Sequence, residues 1–444
     1  MAKRDQWRSR AGFLAAAVGS AVGLGNMWRF SYLTAEQGGA AFVALYLLFT
    51  VGVGLPVMLA ELAVGRGAGK SPVLALKHFG GTRWRALGWL FVATGFLILA
   101  YYSVIAGWTL RYGLESLFFA MPGDPGARFD EISQGGDAFA YHMLFMALVM
   151  WIVVGGVSRG IERVATVAMP LLFVLVCAIA LYAATLPGAG GGYAYYLNTD
   201  FRNAFSIEVL ISAAGQAFFS LSLGMGAMMT FASYLPERSN LPSESVWIGG
   251  MDFAVAFVAG LMVFPIIFAL GLQEDVGEST LGALFVALPK AFAAMGTAGR
   301  IVGPMFFAAL VVGALTSAIS LLEVVVSAAV DGLGWSRIRA VWVGGLAITL
   351  MGSAAAWNIG VLDLMDQVAN NLFLLIGGLV LAIFVGWVME DPIREARSGS
   401  GMSVTGLGVW RQLLRFVVPV VLLVVLWYSV PATLQNLWSF IASG

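Results

Sequence analysis

Gly19-Ser20-Ala21-Val22-Gly23-Leu24-Gly25-Asn26 interrupts a hydrophobic run that starts near Ala11 and continues past Asn26 to Arg29. About 20 apolar residues cross a bilayer core as a helix, yet each glycine inside a helix costs about 1 kcal/mol relative to alanine. A second apolar stretch has the same peculiarity, with Ser222-Leu223-Gly224-Met225-Gly226 at its centre. Such glycines can serve close helix packing. Here, however, Asn26, Arg29, Glu36, Gln216, Ser220 and Ser222 gather at the same two places, and polar side chains are costly in lipid. Paired interruptions in two halves of a chain point to inverted repeats with a binding site near the bilayer midplane.

The rest of the chain agrees. Of 444 residues 60% are hydrophobic and 11% charged, against about a quarter charged in a soluble domain. Long apolar runs without ten-residue alternation give an all-α polytopic membrane protein rather than a barrel. Eleven spans are expected, at 11–34, 39–65, 86–118, 138–156, 162–186, 206–235, 244–270, 302–332, 339–356, 361–389 and 412–437. They divide a single transporter domain into a short segment 1–10, repeat one at 11–186, repeat two at 206–389 and a last helix at 412–437. With the N-terminus in the cytoplasm, 18 of the 24 Lys and Arg residues fall on the inner side, as the positive-inside rule requires. Eleven spans then put the C-terminus outside. The stretch 279–298 is too short to span and is expected to cap the outer face.

Several function classes are excluded. A lone Cys177 rules out an intrachain disulfide and a cysteine metal cluster, and His78 and His142, both expected toward loop ends, are too isolated for zinc. No HExxH, nucleotide-binding loop or Ser/His/Asp set can be assembled. Net charge near zero with no basic stripe argues against nucleic acid. No signal-peptidase site follows the first run, so it should be retained as a helix.

The opening signature, Arg4…Trp7…Gly19 to Phe30 (GSAVGLGNMWRF), resembles that of the neurotransmitter:sodium symporters. The likeness continues with Pro56 to Arg66 (PVMLAELAVGR), Tyr101-Tyr102, Gly215 to Gly226 (GQAFFSLSLGMG), Leu315-Thr316-Ser317 and Asp363-Leu364-Met365-Asp366, in family order across nearly the whole chain. It implies the five-plus-five inverted-repeat fold of the bacterial leucine transporter, with discontinuous helices 1 and 6 and an added helix 11. The implied activity is sodium-coupled symport of a neutral, hydrophobic L-amino acid by alternating access in a bacterial inner membrane, with lipid as the surrounding partner. A transport-inactive sensor, a ligand-gated channel or a proton-coupled transporter on the same fold are the alternatives.

Freed backbone groups at membrane depth are tolerated where they line a cavity or bind something. The outer half of helix 1 should turn its positive end near Gly25 to a substrate carboxylate, while carbonyls near Ala21, Phe219 and Ser220 attract an ammonium group. The resemblance adds the Tyr102 hydroxyl on the carboxylate, Ser222 beside the amine, and a side-chain pocket of Ile98, Phe219, Met225, Ser317 and Leu321. Sodium prefers oxygen ligands, like other hard cations. Two constellations match the family: Ala21, Asn26, Ser220 and Asp252 with the substrate carboxylate, and Gly19, Val22, Gly313, Thr316 and Ser317. The hydroxyls of Thr316 and Ser317 can alternatively bond back to the preceding turn. The two constellations imply two sodium ions; many chloride-dependent relatives carry asparagine where this chain has Asp252 and serine where it has Ala256, so the carboxylate is expected to supply that negative charge and no chloride requirement is expected.

The resemblance also implies an outer gate of Arg29 and Asp366 and an inner gate of Arg4 and Asp331 beside Trp7. Gly160 and Pro170 resemble a segment that lets helix 5 unwind from its cytoplasmic end, with a simple proline kink as the alternative. Glu36 and Glu61 are expected to be structural, stabilising helices 1, 2 and 6.

Overall fold

A computed structural model describes residues 5–119, 123–198, 206–273 and 280–443, and among these the regular structure is helical throughout. Among the described residues nine unbroken helices are long and apolar enough to span a membrane. They are α2 (Ala40–Ala68), α3 (Thr82–Phe118), α4 (Gly136–Val154), α5 (Val157–Ala183), α7 (Leu241–Ala269), α8 (Gly299–Leu333), α9 (Arg337–Trp357), α10 (Ile359–Val388) and α11 (Val404–Phe440). The helix α1 consists of Arg10–Ala21 and Gly25–Glu36, bent by 59° at the break. The helix α6 consists of Ile207–Ser220 and Ala227–Ala232. The eleven expected spans therefore all fall on helices, with ends shifted by a few residues except in α11, which starts at Val404 rather than at 412.

Both breaks follow from their sequences. Val22 leaves the helix with extended dihedrals (φ −77°, ψ 109°), and the chain re-enters a helix at Gly25. In α6 Gly224 and Gly226 have φ of +77° and +74°, and Ser222 alone among described non-glycine residues has positive φ, at +53°. A Cβ at Gly224 would run into the Leu374 carbonyl of α10, so this position needs glycine for space as well as for its dihedral. The amides freed by the break are not left bare. Glu61 of α2 accepts from Gly224 N–H at 2.9 Å and Met229 N–H at 3.2 Å, a structural use of a buried carboxylate that bridges α2 to both sides of the α6 break.

Other helix starts are capped locally. Ser9, Ser206, Asn240, Ser336 and Ser403 each accept a backbone N–H in the first turn, which satisfies donors a helix start leaves unpaired. The long helix α8 runs beside α3 and α5 and brings Gly313 to Leu321 up to the α1 break.

The described part of 279–298 forms short helices at Thr280–Gly282 and Leu288–Ala294 joined by a wider turn. They lie against the far end of α3, where Phe285 stacks on Phe129 at 5.3 Å and its carbonyl accepts from the Tyr112 hydroxyl at 3.1 Å. His142, expected toward a loop end, instead lies inside α4, fully buried, with Nε2 3.0 Å from the Thr349 carbonyl of α9. The first turn of α4 begins at Gly136, six residues earlier, which places this histidine well within the packed helix.

Candidate functional site

The two breaks face one another. Between them lies a narrow cavity lined by Ala21, Gly25, Ile98, Tyr102, Phe219, Ser220, Ser222, Met225, Ser317 and Leu321, together with Ser20 and Gly23. Every residue assigned to the substrate from sequence is thus at one place, and Ser20 and Gly23 are additions. The lining carries no charged side chain. At one end Leu24 N–H points to the Tyr102 hydroxyl at 3.4 Å, so a backbone donor and a phenol converge where α1 restarts. At the other, the Ser222 hydroxyl donates to the Ser20 carbonyl at 2.7 Å, tying the two breaks together. The Gly25 carbonyl accepts from Gln216 Nε2 at 3.1 Å.

Asp252 of α7 is fully buried beside this cavity. Asn26 Nδ2 donates to its Oδ1 at 2.7 Å, Tyr46 donates to its Oδ2 at 2.9 Å, and Ser220 Oγ lies 2.9 Å from both oxygens. Asn26 is itself oriented by Gly23 N–H, which donates to Oδ1 at 3.0 Å. No Lys or Arg forms an ion pair with Asp252 among the described residues. A buried carboxylate without a cation is expensive, and here it accepts from the Asn26 amide nitrogen and lies against two hydroxyls; carboxylate and hydroxyl oxygens are the ligands a hard cation prefers. Three of the four residues of the first sodium constellation, Asn26, Ser220 and Asp252, bond directly to one another, and Ala21 lines the adjoining cavity. Tyr46 was missed. It sits on α2 outside every motif quoted above, and only the fold brings its hydroxyl here.

The second constellation is also assembled. A methyl on Gly19 would lie 2.9 Å from Thr316 Cβ, and one on Gly313 would lie 3.4 Å from Gly23 Cα. Ser317 Oγ donates to the Gly19 carbonyl at 3.3 Å, joining α8 to α1, while Val22 is buried at the end of the first half of α1. Thr316 takes the back-bonding geometry, with its hydroxyl 3.1 Å from both the Val312 and Gly313 carbonyls.

The residues expected at the two gates are placed differently. Arg29 and Asp366 line a vestibule of about 560 Å³ with Tyr101, Asp363 and Ile359, against about 30 Å³ in the cavity below. Tyr102 and Phe219 line both spaces. Arg29 forms no ion pair with Asp366 in this structure. Its guanidinium stacks 4.7 Å over the Phe219 ring, and Asp366 accepts from Asn370 at 2.6 Å. At the opposite end Trp7 is buried, its indole donating to the Phe231 carbonyl at 2.9 Å with Phe13, Phe231 and Tyr234 edge-on around it. Arg4 lies outside the described residues. Asp331 accepts from Ser71 N–H at 2.6 Å. Close by is a network that sequence reasoning overlooked: Tyr234 donates to Glu323 at 2.7 Å, and Arg337 pairs with Glu323 at 2.5 Å.

Gly160 lies in a wound π-type turn at the start of α5, and Pro170 is inside a continuous helix, so this segment is not unwound in this structure. A Cβ on Gly160 would collide with the Ile152 carbonyl, so this glycine also serves tight packing against α4. The segment is strapped from below: Asp5 accepts from Val157 N–H at 2.8 Å, and Glu162 accepts from Arg8 N–H at 2.8 Å and the Ser9 hydroxyl at 3.0 Å.

Residues 4–125 and 127–440 match the model of the sodium:neurotransmitter symporter family. An uncharacterized sodium-dependent transporter of Bacillus subtilis is 35% identical over 95% of this chain and 97% of its own. Another uncharacterized sodium-dependent transporter, of Methanocaldococcus jannaschii, is 36% identical over 98% of this chain and 92% of its own. The crystal structure of MhsT in complex with L-phenylalanine superposes with a TM-score of 0.88 at 41% identity, covering 96% of this chain and 100% of that one. By the family model, by relatives matched along nearly their whole length and by the broken helices themselves, this chain is a member of the sodium:neurotransmitter symporter family.

Proposed function

We propose that the protein couples the entry of two sodium ions to uptake of one neutral amino acid with an apolar side chain, without chloride. The observation that carries this reading is the buried Asp252, held by Asn26, Ser220 and Tyr46 directly against the cavity. In this reading Leu24 N–H, Gly25 and the Tyr102 hydroxyl hold the substrate carboxylate, which also completes the first sodium site. The Ser20, Ala21 and Phe219 region receives the ammonium group. Ile98, Phe219, Met225 and Leu321 take the side chain, and Met225 gives that pocket adaptability. The L-phenylalanine bound in MhsT supports an aromatic or large aliphatic substrate. The second sodium binds at Gly19, Val22, Gly313, Thr316 and Ser317 after Thr316 gives up its back-bond, and thereby ties α1 to α8. Asp252 supplies the negative charge that chloride would otherwise provide.

The N-terminus lies in the cytoplasm of a bacterial cell and the C-terminus outside, so the vestibule at Arg29 and Asp366 opens outward and the Trp7 cluster seals the inner side. Pairing of Arg29 with Asp366 closes the vestibule once substrate lies under Phe219 and Tyr102. A partly exposed ion pair contributes only about 0–1 kcal/mol, which suits a gate that must reopen. Each sodium moving down a tenfold gradient releases about 1.4 kcal/mol, and a 100 mV potential adds about 2.3 kcal/mol per charge. Two ions therefore supply roughly 7 kcal/mol, enough to accumulate a zwitterion about 10⁵-fold.

Thermal denaturation of the purified protein with each of the twenty amino acids, in sodium and in potassium, tests this reading. Large apolar amino acids should raise Tm in sodium alone, since a ligand at 100 times its Kd stabilises by about 2.7 kcal/mol. A shift of equal size in potassium, or none with any amino acid, would overturn it.

Inward release is proposed to begin where α5 unwinds between Gly160 and Pro170. Proline inside a helix removes one hydrogen bond and clashes with the preceding turn. Pro170→Ala should restore that bond and slow sodium release and uptake severalfold, while substrate affinity in sodium stays near that of the parent. Unchanged release rates in stopped-flow measurements would count against the proposal. Gly160→Ala is the poorer test, because its methyl group meets the Ile152 carbonyl.

A further inference from the structure

We propose that the groove between α4 and α5 is a binding site for an anionic phospholipid, with Arg159 and Arg163 holding the phosphate and Val164, Val167 and Leu171 lying along one acyl chain. The groove has a volume of about 740 Å³, and its floor reaches Val312 of α8. Its walls are apolar except at the end where α4 stops at Val154 and α5 starts at Val157, and there both arginines line it. Trp151 and Val167 stand at its mouth, 73% and 67% exposed. This face is turned to the bilayer, because the two helices cross the membrane and nothing else in the chain covers it among the described residues. The arginines, one turn apart at the helix end, therefore lie at headgroup depth, with Trp151 at the level where tryptophans commonly sit.

The charge of the groove selects the lipid. The guanidinium groups of Arg159 and Arg163 form no hydrogen bond or ion pair among the described residues, whereas Arg10 pairs with Glu244 at 2.7 Å and Arg337 with Glu323 at 2.5 Å. The two carboxylates that could have served them are engaged elsewhere: Asp5 with Val157 and Ser158 N–H, Glu162 with Arg8 N–H and the Ser9 hydroxyl. A guanidinium presents paired N–H donors that fit phosphate oxygens. A zwitterionic headgroup brings a compensating cation of its own and gains less from two arginines. The opposite face of this part of α5 carries Met169 and Leu172, which pack next to Gly19 and Gly313. A lipid in the groove thus supports α5 from behind, over the proposed second sodium site. The inference rests on the membrane placement of α4 and α5 and does not depend on what the protein carries.

The test uses the full chain in phosphatidylcholine nanodiscs doped with either brominated phosphatidylglycerol or brominated phosphatidylcholine. Quenching at Trp151 is obtained as the difference between the parent and Trp151→Phe. Brominated phosphatidylglycerol should reach half-quenching at a mole fraction about tenfold lower than brominated phosphatidylcholine, from about fivefold or less per arginine. The preference should vanish in Arg159→Gln/Arg163→Gln and persist in Arg159→Lys/Arg163→Lys. Equal half-quenching by the two lipids in the parent would overturn the proposal and leave the arginines as topology determinants alone. A preference that survives the double glutamine variant would overturn it as well.

Discussion

Replacing Asp252 by alanine should abolish sodium-driven uptake, with sodium affinity falling about 100-fold as the side-chain carboxylate of the proposed first sodium site is lost. Asp252 is inaccessible to solvent, and its partners are the neutral side chains of Asn26, Ser220 and Tyr46. A lone negative charge in that setting is offset most simply by a bound cation. Alanine removes the charge and leaves Tyr46 and Asn26 without their acceptor, so substrate binding should weaken along with sodium binding. Asp252→Asn separates the two effects, since it retains one oxygen and most of the shape. It should lose less sodium affinity than alanine. Combined with Ala256→Ser, one helical turn away on the same face of α7, it should respond to chloride. The parent protein should transport equally well in gluconate and in chloride. Loss of most parental activity on chloride removal, or sodium affinity unaltered in Asp252→Ala, would remove Asp252 from the role proposed for it. Isothermal titration with sodium and uptake in gluconate measure both.

Gly23→Ala should eliminate substrate binding while the protein still folds. The added methyl group would lie 2.5 Å from Ser317 Oγ and 3.0 Å from the Tyr102 hydroxyl, so it takes the space where the proposed carboxylate group must sit and pushes apart the phenol and the Leu24 amide. Overpacking a closed space costs about 1–3 kcal/mol, a moderate loss of stability for a molecule of this size. Adding Ser317→Ala removes the closer contact, leaving the new methyl 3.5 Å from Cβ of that residue. The double variant should recover thermal stability but not amino acid binding. If Gly23→Ala bound amino acid as tightly as the parent, the cavity between the breaks would not be the substrate site.

Much of this was legible in the sequence, for physical reasons that differ from place to place. The spans were readable because a bilayer imposes a length and a composition on every helix that crosses it. The breaks were readable because glycines and polar residues in mid-span both carry a cost. Of the ten residues expected at the substrate, Ala21, Gly25, Phe219, Ser220, Ser222 and Met225 sit at the breaks of α1 and α6, whereas Ile98 and Tyr102 on α3 and Ser317 and Leu321 on α8 were reachable only through the family resemblance. Tyr46 and the Glu323, Arg337 and Tyr234 network were not legible. Their roles depend on which helices become neighbours, and a tyrosine in α2 has the same local signature whether it packs or hydrogen-bonds. The state of the gates was equally out of reach: Arg29 has two partners within its range, Asp366 and the face of Phe219, and its place over the ring is a property of one conformation. His142 shows the reverse error: it stands near the start of the expected span 138–156, and only the packing of α4 against α9 shows that it is fully buried there.

The central claim is that the sodium gradient drives amino acid accumulation through the site between the broken helices. The direct measurement is uptake of radiolabelled L-phenylalanine into proteoliposomes holding the parent protein or Asp252→Ala, with an inward sodium gradient and an interior-negative potential. The account predicts accumulation well above the external concentration in the parent, collapse when the gradient is dissipated, and none in the variant. Equilibration without accumulation, or accumulation that persists with sodium replaced by potassium on both sides, would contradict it.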